Sequence, residues 1–77
     1  MSECKLDHSM EDVRSKYEAQ RTYLPEEFTP LFEQFFNEEH SQNILNDVFH
    51  LLKKYDLATE EEKTVRNKRL MIVLKNT

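Results

Sequence analysis

Three histidines, one cysteine and fifteen carboxylates are the side chains of this chain that could hold a metal or move a proton. Cys4 and His8 stand four apart, but no second pair matches them at zinc-site spacing. Asp47 and His50 stand three apart, so a helix would aim both toward one side. A carboxylate-bridged di-metal bundle needs two such acid–histidine motifs and two further glutamates, and the sequence offers one motif with an aspartate. No metal is expected; His50 reads as a partly exposed histidine beside a surface aspartate. The acids at 26–27, 38–39 and 60–62 fall at helix ends, where dipole complementarity and solvation account for them. General acid–base work asks for carboxylates in separated environments inside a cleft, which this pattern does not supply. Cys4 has no fixed partner that would hold it as a thiolate. Neither a catalytic residue, a cofactor nor a small-molecule substrate is expected.

Charge gives the next pattern. The net charge is −4, yet residues 1–62 hold all fifteen acids and six bases, while residues 63–77 hold five bases and no acid. Lys63, Arg66, Lys68 and Arg69 could therefore meet nucleic-acid phosphates from one helix. Against that, Glu62 and Arg66 form an acid-first pair four apart, which needs no ligand. No aromatic residue follows Tyr55, so base stacking by this tail is unavailable. The acidic body would also oppose approach to phosphates. Nucleic-acid binding is the alternative reading.

The elements that must position these groups are constrained by an absence: the chain contains no glycine. Tight hairpin turns, phosphate-cradling loops and nucleophile elbows depend on glycine, so all-β folds and nucleotide-binding folds are improbable. Helices remain, and the expectation is an all-α protein, a small bundle of three to four short helices. Residues 1–8 read as a disordered leader and residues 9–77 as one helical domain. Ser9 and Asp12 open a helix over 10–22, with Met10, Val13, Tyr17 and Leu24 along one stripe. Pro25 stops it, Pro25–Phe28 form a turn, and Thr29 caps a second helix over 30–39 whose first residue is Pro30. Four of the five phenylalanines lie between 28 and 36, which marks the centre of the core. A wide stripe from Ile44 to Tyr55 predicts a third helix over 42–55. Thr59 and Glu62 form a capping box for a fourth over 60–74.

The end of that fourth element is the most informative segment. In Leu70-Met71-Ile72-Val73-Leu74 five consecutive apolar side chains point around a helix at about 100° steps, so the bundle cannot cover all of them. Either a partner covers the remainder, or residues 69–75 form a strand that pairs between chains. Both versions make Leu70, Met71, Ile72, Val73 and Leu74 the candidate interface. A chain this short buries only about 60% of its unfolded surface, which also favours association. One cysteine cannot close an intramolecular disulfide, no signal-like apolar stretch lies in residues 1–10, and the longest aliphatic run is far short of a membrane span. The expectation is a soluble cytoplasmic protein with no membrane contact, not an enzyme, that works by binding a protein partner or itself as a homodimer or other homo-oligomer.

Overall fold

Three of the four described helices start on a hydroxyl. The computed structural model describes residues 7–75, and over them it is all helical: four short helices and two 3-10 turns. Helix α1 spans Met10–Gln20; the Ser9 hydroxyl accepts from the Asp12 amide and the Asp12 carboxylate accepts from the Ser9 amide, a complete capping box. Helix α3, Gln42–Leu52, starts on the Ser41 hydroxyl, and α4, Glu60–Lys75, starts on that of Thr59. Residues 60–75 are one unbroken helix, which removes the interchain-strand alternative. The leader expected over 1–8 falls largely outside the described residues, Cys4 included. Its last residue, His8, lies against α3 with its ring stacked on Phe49 at 3.5 Å.

Helix α2 spans Phe28–Phe36 and departs from expectation at both ends. It begins two residues early, with Glu27 rather than Thr29 at its cap. The Pro25 turn runs straight into it, since the Phe28 and Thr29 amides donate to the carbonyls of Pro25 and Glu26. Pro30 then occupies the third helical position, where no amide has an intrahelical partner, so its missing N–H removes nothing. At the far end Asn37 caps the helix, and Glu38 and Glu39 lie beyond it.

Helix α1 gives way at Gln20, rather than running to 22, to a 3-10 turn over Arg21–Tyr23, and helix α3 also stops early, at Leu52 rather than 55. Lys54 takes a left-handed backbone conformation (φ 56°), and Tyr55–Leu57 form a 3-10 turn. A glycine usually fills such a post-helix position; here a lysine does.

The core follows the phenylalanines. Phe28, Phe32 and Phe35 are buried with Val13, Tyr17, Val48, Leu52, Tyr55 and Leu70, and Tyr17 stacks on Phe32 at 4.4 Å. Helix α3 packs against α1 and α4, and α2 lies against α4. Two polar contacts tie the turn after α3 to its neighbours. The side chain of buried Gln20 accepts from the Asp56 amide and donates to the Asp56 carboxylate, each at 3.0 Å. The Tyr55 hydroxyl donates to the Asn67 side-chain oxygen on α4 at 2.6 Å.

Candidate interaction surface

Helical geometry divides the five apolar residues of the α4 terminus. Leu70 and Leu74, four apart, turn inward and are 0% and 6% exposed. Met71 and Val73 flank them half-buried, at the edge of the core. Ile72 points away and is 61% exposed. The candidate segment therefore separates into residues that close the bundle and one that faces water.

Ile72 is not alone on that side. Val65 is 56% exposed and lies seven residues earlier, two turns along the same outward stripe. Tyr23 and Leu57 are exposed as well, but they stand on the 3-10 turns rather than on α4. Beside the stripe an open groove of about 340 Å³ runs between α3 and α4, lined by Asp47, His50, Leu51, Arg69, Ile72 and Val73. The sequence reading missed Val65 and the α3 wall of this groove. The seven-residue interval to Ile72 was the available signal for Val65; none marked Asp47, His50 and Leu51 as neighbours of α4.

The basic residues of α4 divide in the same way. Arg66 turns inward: its guanidinium donates to the carbonyls of Leu51 at 3.2 Å and Lys53 at 2.8 Å, closing the end of α3, and approaches Glu62 at 3.8 Å. Lys63 lies over the Tyr55 ring, 5.6 Å from its centre, and 4.0 Å from Glu60. Their side chains are only 21% and 22% exposed. Lys68 and Arg69 are exposed and have no ion pair among the described residues. Of the four bases weighed for nucleic acid, two thus hold the fold together and two face solvent.

His8 and His50 meet edge to face at 5.5 Å, and His40 stacks on Phe35 at 3.8 Å with a ring nitrogen 2.7 Å from the Phe35 carbonyl oxygen. Among the described residues no three histidine, cysteine or acidic side chains converge as metal ligands. A second open groove, about 380 Å³ between α1 and α2, is lined by Arg14, Glu18, Arg21 and Glu33 among others. Three of those four charges are engaged locally: Arg21 binds Glu18 at 3.3 Å, and the Arg14 guanidinium lies 4.6 Å from the Phe36 ring centre. No described helix is long and apolar enough to cross a membrane. The chain matches no protein-family model, no curated protein and no solved structure, so a functional reading has to come from this surface.

Proposed function

We propose that this chain is a non-enzymatic cytoplasmic protein that acts by protein–protein contact, through the outward face of α4 and the groove beside it. The observation that carries this reading is the pair Val65 and Ile72. Both are more than half exposed, they share one helical stripe, and Ile72 lines an open groove. Taking a fully exposed branched aliphatic side chain out of water contributes about 1.5–3 kcal/mol, and Val65 and Ile72, 56% and 61% exposed, would each contribute about half to two thirds of that, a modest anchor for a partner. Lys68 and Arg69, without an ion pair among the described residues, lie beside the stripe and would set orientation and charge preference. The mechanism is occupancy of a partner surface, in the manner of a small regulator or adaptor.

A photo-cross-linking amino acid placed at position 65 or 72 in living cells tests this. Discrete protein adducts from 65 and 72, absent from the exposed control positions 11 and 26, are the expected result. No adducts, or the same adducts from all four positions, would sink the reading. A second reading, nucleic-acid binding, draws on Lys68 and Arg69 having no ion-pair partner among the described residues. It requires retention on mixed-sequence DNA or RNA at low salt that falls steeply as salt rises. Adducts from position 72 to nucleic acid would favour it.

A further inference from the structure

The occupant of the α4 face can be named from the charge pattern of α4, on the premise that this face is a protein-contact surface. We infer that it is a second copy of this chain, paired antiparallel along α4. Within α4, Glu60 pairs with Lys63 and Glu62 with Arg66. That leaves Glu61 near one end, and Lys68, Arg69 and Lys75 toward the other, without an ion pair among the described residues. The unsatisfied charge of this helix is acidic at its start and basic toward its end. Such a helix is complementary to itself when reversed, whereas a parallel copy would set like ends side by side.

The apolar positions agree with that orientation. A two-fold axis midway between Val65 and Ile72 places Val65 of each copy opposite Ile72 of the other. Glu61 and Lys75 then fall on opposite sides of the midpoint at nearly equal distances, about 11 and 10 Å along the helix. Glu61 of one copy therefore faces Lys75 of the other, twice per dimer. The same axis sets Lys68 of each copy beside Arg69 of the other, a cluster of four cations at the centre that works against the contact and keeps it weak; Asp47, which lines the α3–α4 groove with Arg69, is the carboxylate each copy has on that side. Antiparallel helix dipoles also oppose head to tail. The contact is small: α4 is 16 residues, about 24 Å, long, which gives less than the roughly 800 Å² per partner of a standard stable interface. The dimer belongs to the weak class, with a dissociation constant in the micromolar range.

Sedimentation equilibrium of the full chain from about 10 µM to 1 mM reads this directly. The wild type should move from monomer to dimer within that range. Ile72→Glu and Val65→Glu alter exposed side chains, so circular dichroism should stay native while dimerisation weakens at least tenfold. Glu61→Lys and Lys75→Glu should each weaken the dimer, and the double variant E61K/K75E should recover it. The inference is overturned by a strictly monomeric wild type at 1 mM, by a dimer indifferent to I72E, or by a double variant no better than its singles. A monomeric wild type whose position 72 still cross-links to another protein would remove the second copy and leave the protein-contact reading standing.

Discussion

Arg66→Met separates a structural arginine from a ligand-binding one. The substitution keeps the aliphatic stem and removes the guanidinium, which donates at 3.2 and 2.8 Å to the carbonyls of Leu51 and Lys53. Hydrogen bonds from a charged donor contribute about 1.5–3 kcal/mol each when buried. Here the side chain is 21% exposed and Lys53 lies at the surface, so water recovers part of what the variant loses. The expected loss is therefore about 2 kcal/mol in all, or about 10 °C in Tm for a domain of this size. Glu62→Gln is the control: it removes only an exposed ion pair at 3.8 Å and should cost less than about 0.5 kcal/mol. Urea unfolding followed at 222 nm, at one low protein concentration so that association does not contribute, gives both values. If R66M lost no more than E62Q, Arg66 would not be closing the end of α3. It would then return to the solvent-facing bases as a candidate for binding.

Other expectations follow from single positions. Lys54→Gly should stabilise the fold by roughly 0.5–1 kcal/mol, because relief of the left-handed conformation exceeds glycine's entropic penalty, while Lys54→Val should destabilise it; urea midpoints decide both. Burial raises the Tyr55 phenol above its ordinary value of 10.0, opposed by its hydrogen bond to Asn67. A raised value in the folded state means the neutral phenol is the form that folding favours. Its contribution is therefore full below pH 10 and is lost as pH rises through the folded value. Stability measured from pH 9 to 12 should fall more steeply in the wild type than in Tyr55→Phe; parallel curves would contradict this. Leu70→Ala, at a fully buried site, should cost about 2–5 kcal/mol, whereas Ile72→Ala in the monomer should stay within about 0.5 kcal/mol. Equal losses would mean that α4 is rotated from the orientation described.

The sequence carried the helices clearly wherever a hydroxyl preceded an amphipathic run. Ser9, Ser41 and Thr59 each cap the helix that follows, because a side-chain oxygen at that place satisfies an amide nothing else reaches. Pro30 misled at the start of α2 because proline is tolerated throughout the first turn, so its position alone does not fix the first residue. Lys54 misled at the end of α3: a left-handed residue there is normally announced by glycine or asparagine, and lysine gives no such notice. The surface on α4 was half legible. Five apolar residues in a row implied that some must face outward, but which of them did so depended on where Phe28, Phe32 and Phe35 fixed the core. The role of Arg66 was hidden for another reason. Its local partner Glu62 is visible as a spacing of four, while the carbonyls it closes lie 13 and 15 residues back and leave no periodic trace.

The anchoring of α1 has a consequence for the order in which the protein takes shape during synthesis. The His8 amide donates to the Asn46 side-chain oxygen, 38 residues later, and Gln20 binds Asp56, 36 residues later. At a translation rate of roughly 5–20 residues per second, each of these groups exists for about 2–8 s before its counterpart has been made. Through that interval α1 has its capping box and, from the earlier part of the chain, the Phe32 and Phe36 contacts of Tyr17 and Arg14, while an isolated helix of 11 residues is marginal in water. The bundle can close only after Leu70 has left the ribosome, so most of the chain must emerge before the core is complete. Folding is expected to finish late and collectively, with Val13 and Tyr17 fully covered only once α3 and α4 are in place.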